Sequence, residues 1–118
     1  MMRSTFWGLG LLGLLTVVAC GADPVGPAGR LVGGACASSN QCDSYCTTDK
    51  HYPGGMCTVL CASDAQCPAG TACVNEDANF CAVVCASDAQ CAAFGRDYFC
   101  KSRDRVGASG STTVCRAP

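Results

Sequence analysis

Cysteine is the residue type with the greatest capacity for chemistry in this chain, which has 13 of them among 118 residues. Twelve follow one another in three groups of four. Each group opens with the spacing C-x5-C, and consecutive groups are joined by C-x3-C. Insertions fall only in the second half of each group, as in tandem repeats. The groups are Cys36, Cys42, Cys46 and Cys57; Cys61, Cys67, Cys73 and Cys81; and Cys85, Cys91, Cys100 and Cys115.

Thiols can bind metal, attack a substrate or form disulfides, and the spacing favours disulfides. Structural zinc sites usually contain close C-x2-C pairs, which this sequence lacks. A nucleophilic Cys–His pair would need an unpaired thiol beside His51, the only histidine. His51 lies in TTDKHYPGGM, where we predict an exposed loop. We therefore predict no catalytic residue, no metal, no cofactor and no enzyme activity.

A calcium site is the remaining metal alternative. The stretch Asn75-Glu76-Asp77-Ala78-Asn79 places oxygen-bearing side chains at the first three ligand offsets of a calcium loop. Position six should be glycine and is Phe80, and no glutamate follows at position twelve. The interpretation that we prefer is a polar turn.

The fold class follows from the scarcity of apolar residues. Of the 83 residues in 36–118, only ten are Leu, Val or Phe, and Ile is absent. Such a chain would be disordered without further support, and disulfides supply about 2–4 kcal/mol each. We predict a small disulfide-rich protein with short strands, single helical turns and little hydrophobic core. Its three modules span 36–57, 58–81 and 82–118.

The heptad CASDAQC occurs at 61–67 and 85–91, and CASSNQC occurs at 36–42. Within it, S-x-x-Q matches a capping box, in which the glutamine reaches back to the start of a helix. The aspartate in the first turn would complement the helix dipole. We predict one short helical turn per heptad, with a structural role.

The segments that join the modules, Thr58-Val59-Leu60 and Ala82-Val83-Val84, are apolar and β-branched, so we predict extended chain there. Cys57, Val59 and Cys61 would then face inward together. Adjacent modules would share a strand and stack into a fairly rigid rod. In the third module, the long gap RDRVGASGSTTV suggests a flexible loop.

The N-terminus has the features of an export signal. A positively charged start precedes a largely apolar run of 14 residues, Phe6 to Ala19, whereas a membrane-spanning helix needs roughly 20. Val17-Val18-Ala19-Cys20 resembles the lipobox of bacterial lipoproteins, although Val17 stands where leucine is usual. The resemblance implies that residues 1–19 are a signal peptide and that Cys20 becomes a lipidated N-terminus. Cleavage after Gly21, giving a secreted protein, is the alternative.

Residues 20–35 follow as a segment rich in Gly and Pro, for which we predict a tether between anchor and folded part. With Cys20 removed or lipidated, twelve cysteines remain for six disulfides in an oxidising compartment. Sequence spacing alone leaves three pairings open within each group of four.

The second group, C-x5-C-x5-C-x7-C with CPAG at 67–70, resembles Dickkopf-like, whey-acidic-protein-like and EGF-like modules. It is also similar to myxobacterial lipoproteins with repeated C-x-S-D-x-x-C. The resemblance implies binding modules, and first-to-third and second-to-fourth pairing in each group. The implied pairs are Cys36–Cys46, Cys42–Cys57, Cys61–Cys73, Cys67–Cys81, Cys85–Cys100 and Cys91–Cys115.

A net charge of −1 gives no indication of nucleic-acid binding. We expect a protein anchored in the bacterial cell envelope that contacts the membrane through its lipid and binds an extracellular protein or envelope partner. The variable second halves of the modules would supply the contacts. The predicted binding-surface residues are Tyr45, Tyr52, Phe94, Tyr98 and Lys101, with Phe99 as a further exposed aromatic.

A secreted protease inhibitor is the alternative function. Disulfide scaffolds can hold an extended loop in its bound shape, which lowers the entropy lost on docking. Lys101 or Lys50 would offer a basic side chain to a trypsin-like pocket.

Overall fold

The computed structural model describes residues 23–118, so the predicted signal peptide and Cys20 lie outside the described residues. Each module is a helical turn followed by a two-stranded antiparallel hairpin. The helical turns are 3₁₀ at Ser39–Gln41 and Asp64–Gln66, and in the third module helix α1, Asp88–Cys91, continues as a 3₁₀ turn, Ala92–Phe94. The strands are β1 Tyr45–Thr47, β2 Met56–Thr58, β3 Thr71–Val74, β4 Phe80–Val83, β5 Phe99–Asp104 and β6 Ser111–Arg116.

The disulfides join each helical turn to its hairpin. The third and fourth cysteines of every module are cross-strand neighbours, as Cys73 and Cys81 are in the second module. The first cysteine bonds to the third and the second to the fourth, which is the pairing that the resemblance implied. The six bonds are Cys36–Cys46, Cys42–Cys57, Cys61–Cys73, Cys67–Cys81, Cys85–Cys100 and Cys91–Cys115.

The heptads form the predicted helical turns, and the role of their glutamine is confirmed. In each copy the glutamine Oε1 reaches back and accepts the N–H of the alanine that follows the first cysteine. The donors are Ala37 to Gln41, Ala62 to Gln66 and Ala86 to Gln90.

The residue after the heptad serine has a second role that the helix-dipole argument missed. Asp64 Oδ1 accepts the N–H of Cys73 at 2.8 Å, and Asp88 Oδ1 accepts that of Cys100 at 2.8 Å. In the first module Ser39 Oγ does the same for Cys46 at 3.0 Å. The heptad therefore ties the helical turn to the third cysteine, next to the disulfide that joins the same two elements.

The modules do not form a rod. In a rod the first and third modules would not touch, yet the Tyr98 hydroxyl donates to the Pro53 carbonyl at 3.0 Å and the Ala117 N–H donates to the His51 carbonyl at 2.7 Å. The small core lies where the three modules meet. Its aromatic rings come one from each module, Tyr52 (1% exposed), Phe80 (1%) and Tyr98 (4%).

The joining segments are extended, as predicted. Leu60 forms a bridge with Phe80, and Val84 forms one with Val114, so each linker pairs with a strand of the module that it opens. In the first linker the side chain that is fully buried is Thr58, whose hydroxyl donates to the Cys81 carbonyl, while Val59 is half-buried. The burial of Thr58 is tolerated because its hydroxyl makes this hydrogen bond with the Cys81 carbonyl.

The gap predicted as a flexible loop is largely the β5–β6 hairpin. This hairpin and the β3–β4 hairpin meet along both edges, through the bridges Val74–Arg105 and Val84–Val114. Val74, Ala82 and Val114 are completely buried between them. A flexible loop was expected because Ser, Thr and Gly suggest irregular chain, but strand pairing on both edges outweighs that local preference.

The segment predicted as a tether also differs from the prediction. From Pro24 to Gly34 the chain is folded back on itself, and Val32 is completely buried in the core cluster. Backbone hydrogen bonds join it to the first module at Cys57 and Asp43. A high glycine content favours flexibility, but here the lack of a side chain allows backbone to pack on backbone.

Candidate functional site

The most unusual polar group in the described residues is the carboxylate of Glu76, on the turn between β3 and β4. Its side chain is only 2% exposed. Glu76 Oε2 accepts the Tyr52 hydroxyl at 2.8 Å and the Arg116 Nε at 3.0 Å. Glu76 Oε1 is 3.3 Å from the Arg116 Nη2 and 3.1 Å from the Arg103 Nη2. We call these four side chains the Glu76 cluster.

The Glu76 cluster takes members from all three modules. Tyr52 follows β1, Glu76 joins β3 to β4, and the two arginines lie on β5 and β6. Taking a carboxylate out of water costs several kcal/mol unless opposite charges and hydrogen bonds compensate it. That compensation is available only when the three modules are together, so the cluster couples their positions.

The electrostatics of the cluster keep Tyr52 as a donor. Burial raises the pKa of the Tyr52 phenol, and the negative charge of Glu76 raises it further. Arg116, itself 8% exposed at its side chain, supplies the positive charge closest to the carboxylate. A neutral phenol and two guanidinium groups around one carboxylate suit a structural role, because both carboxylate oxygens already accept charge-assisted hydrogen bonds or ion-pair contacts.

The stretch 75–79, for which calcium binding is the alternative to a polar turn, contributes Glu76 to this cluster. Arg103 Nη2 donates to the Asn75 carbonyl at 2.5 Å as well as contacting Glu76. A guanidinium on these oxygens repels a cation. Within residues 23–118, the groups of three Cys, His, Asp or Glu side chains that are near enough to share a metal consist only of cysteines, and all of these cysteines are disulfide-bonded.

A second inter-module ion pair lies at the heptad of the second module. The Arg105 Nη2 on the third module donates to Asp64 Oδ2. This hydrogen bond has the largest lowering effect on the pKa of Asp64, and the hydrogen bond from the Cys73 N–H lowers that pKa further. Asp64 thus serves both its own module and the contact with the third.

His51 lies half-buried rather than fully exposed. The ring Nδ1 of His51 is 3.0 Å from Asp49 Oδ1, and the backbone N–H of His51 donates to the same oxygen at 2.7 Å. Burial acts to raise the pKa of Asp49, but these hydrogen bonds outweigh it and lower the pKa. The pair closes a local turn beside the contact with Ala117.

The prediction that Tyr52 and Tyr98 belong to an exposed binding surface is wrong. Tyr52 and Tyr98 are core residues, with their hydroxyls bonded to Glu76 and Pro53, and burial raises the pKa of Tyr98 to about 12. Both lie in the variable gaps of their modules, a position that favours exposure. Those gaps fold inward at these positions because a core poor in aliphatic residues depends on aromatic side chains.

The other predicted surface residues remain accessible in part. Tyr45, Phe94 and Phe99 are half-buried, and Phe94 packs against Tyr98. Lys101 is half-buried within β5, with its Nζ 5.7 Å from the Phe99 ring centroid. Lys101 pairs with Val114 across the hairpin, so it is not on the exposed extended loop that an inhibitor would present.

The exposed large apolar residues are Leu60, at 49%, and Val84, at 43%. Both lie in the linkers between modules. A shallow hollow lies elsewhere, near the start of the described chain, and is lined by residues 23 and 25–29. No helix in the described part of the chain has the length and apolar character needed to cross a membrane.

Sequence reasoning named Glu76 only as part of a possible calcium stretch and missed its role. The available signal was weak: Glu76 is the only glutamate in the sequence, and it lies in a turn where exposed polar residues are common. Comparison with protein-family models, curated proteins and solved structures finds no match for this chain.

Proposed function

We propose that this chain is an exported lipoprotein of the bacterial cell envelope, anchored through Cys20, with a folded part that acts as a non-catalytic binding or structural module. The observation that carries the proposal is that six disulfides account for every cysteine from Cys36 to Cys115. Cys20 therefore has no partner in that part of the chain. Lipidation of that thiol rests on the resemblance of residues 17–20 to a lipobox, and the disulfides suit an oxidising compartment.

The non-catalytic role is supported by what the ionisable side chains already do. Glu76 is neutralised by two arginines, and Asp64 is paired with Arg105. These contacts hold the modules to one another. A body fixed in this way loses little conformational entropy when it binds, which favours presentation of a surface to a partner.

The surface proposed for that partner comprises the accessible apolar residues. Tyr45, Phe94 and Phe99 are half-buried, and Leu60 and Val84 are exposed linker residues. Tyrosine is among the residue types enriched at the positions that contribute most to protein interfaces. An extracellular protein or an envelope component is the partner class that this surface suits.

The test is the intact mass of the chain from the membrane fraction of a lipoprotein-processing host, before and after reduction with alkylation. We expect residues 1–19 to be missing, lipid to be present, and twelve alkylation sites to appear only after reduction. The matched control, Cys20→Ala, should carry no lipid and leave the membrane fraction.

Two results would overturn the proposal. A lipid-free mass starting after Gly21 or Ala22 would indicate a secreted protein, and inhibition of a trypsin-like protease by that product would favour the inhibitor. Alkylation without prior reduction would contradict the disulfide scaffold.

A further inference from the structure

The segment from Pro24 to Gly34 is an integral part of the first module. The Gly33 N–H donates to the Cys57 carbonyl at 2.8 Å, and the Cys57 N–H donates to the Gly34 carbonyl at 2.7 Å. The Asp43 N–H donates to the Arg30 carbonyl at 2.8 Å. Together with the complete burial of Val32, these bonds fix the segment to the disulfide-bonded body.

The glycines of this segment are required for its fold. A Cβ added at Gly33, where φ is +118°, would lie 2.1 Å from the Gly26 carbonyl oxygen. A Cβ at Gly34 would lie 2.6 Å from the Gly29 oxygen. Such distances are far inside van der Waals contact, so the glycines here permit close backbone packing instead of free rotation.

The folded body consequently begins very near the proposed lipid attachment. Only residues 21–23 separate Cys20 from Pro24. Since an extended chain covers at most about 3.6 Å per residue, Pro24 can lie no more than roughly 14 Å from the Cys20 Cα. Resting on the proposed function, we propose that the folded body lies directly against the phospholipid headgroups of the leaflet that holds the anchor, with the accessible residues of 24–31 at the contact.

The contact is imposed by the short connection and not by charge. Arg30 is the basic residue of this segment, and its Nε is already 3.4 Å from Asp43 Oδ1, while Asp23 is exposed at the start. A basic patch that attracted anionic lipid would weaken at high salt. Here the proximity should be the same at low and high salt.

The experiment uses a tryptophan reporter, because Trp7 is the only tryptophan and the expected processing removes it. The exposed residue Ala28 is replaced, Ala28→Trp, in the full lipidated chain. The protein is reconstituted into phosphatidylcholine vesicles with and without a nitroxide-labelled headgroup, and vesicle flotation is measured beside fluorescence quenching. A second form carries twelve Gly/Ser residues inserted between Ala22 and Asp23.

We expect the fluorescence of the introduced tryptophan to be quenched severalfold more strongly with the native spacing than with the insertion. A matched control carries the same insertion between Ala108 and Ser109, both exposed in the β5–β6 turn, and should be quenched like the native spacing.

Each outcome decides a different point. Flotation with equal quenching of the native and lengthened forms would overturn the membrane contact and leave the lipoprotein assignment standing. An equal loss of quenching in the control insertion would also overturn the contact, because connection length would not be the cause. Failure of the native form to float would overturn the proposed function and, with it, this inference.

Discussion

The heptads and the Glu76 cluster stabilise the same molecule in opposite ways. The heptad occurs three times, and each copy holds its own module through contacts between residues 4 to 12 positions apart. The Glu76 cluster occurs once and joins residues that are 24 and 40 positions apart. Local contacts thus build the modules, whereas one long-range buried cluster sets how they fit together.

The largest expected effect is at the centre of the cluster. In Glu76→Gln the charge that compensates the buried Arg116 is lost, so we expect the free energy of unfolding to fall by roughly 3–5 kcal/mol. Urea unfolding with the disulfides intact measures this. Asp97→Asn, which removes one exposed carboxylate, is the matched control and should change stability by less than about 0.5 kcal/mol. A loss below about 1 kcal/mol in Glu76→Gln would mean that the cluster does not join the modules.

A smaller effect is expected when only the phenol donor is removed. Tyr52→Phe keeps the ring that packs against Phe80 but removes one of the two donors to Glu76 Oε2, leaving the Arg116 Nε. A hydrogen bond to a charged group contributes about 1.5–3 kcal/mol, and we expect a loss of that size in thermal unfolding. Tyr45→Phe, at a half-buried position outside the cluster, should be close to neutral. If the two variants behave alike, the Tyr52 hydroxyl has no structural role.

The heptad aspartates should matter less, and unequally. Asp88→Ala removes the acceptor for the Cys100 N–H, at a cost of about 0.5–1.5 kcal/mol. Asp64→Ala removes the acceptor for Cys73 and also the ion pair with Arg105, so it should cost more. Chemical denaturation of the two variants side by side tests the ranking, and the reverse order would contradict the double role of Asp64.

The contribution of Asp64 should depend on pH. Its pKa in the folded protein lies below the usual value of 3.8, chiefly because Arg105 donates to it. Its stabilising effect is therefore complete above pH 3.8 and is lost as the pH falls through the lower folded pKa. We expect the stability difference between Asp64→Ala and the parent chain to shrink on acidification. A difference that stays constant down to pH 2 would contradict the assignment.

The smallest effect is expected at a heptad glutamine. Gln90→Ala removes the acceptor for the Ala86 N–H in an exposed turn, where water can replace it. We expect a loss of about 0.5 kcal/mol, at the low end of the range for capping groups. Denaturant unfolding detects a change of this size, and a loss above that of Asp64→Ala would reverse the proposed order.

The parts that the sequence predicts are those governed by neighbouring residues. Cysteine spacing marked the three modules, and S-x-x-Q marked the helical turns with the glutamine reach-back. The extended linkers followed from β-branched residues. All of these depend on preferences that act over a few residues, so they can be recognised without the tertiary structure.

The parts that it missed depend on residues far apart in the chain. Nothing beside Glu76 indicates that Arg103, Arg116 and Tyr52 converge on it. The burial of Tyr52 and Tyr98 likewise depends on the first and third modules touching, which the rod prediction excluded. For Gly33 and Gly34, composition indicates flexibility, whereas both pack closely on the backbone of Gly26 and Gly29 once the segment folds back on itself.

The central claim is that the Glu76 cluster holds three locally stable modules in one body, and native-state hydrogen exchange of Glu76→Gln tests it most directly. The reporters are the Ala117 amide, which bonds across modules to His51, and the Cys81 amide, which bonds to Val59 within the second module. We predict that Glu76→Gln loses protection at Ala117 while Cys81 keeps most of its own. Equal loss at both amides, or none at Ala117, would contradict the claim.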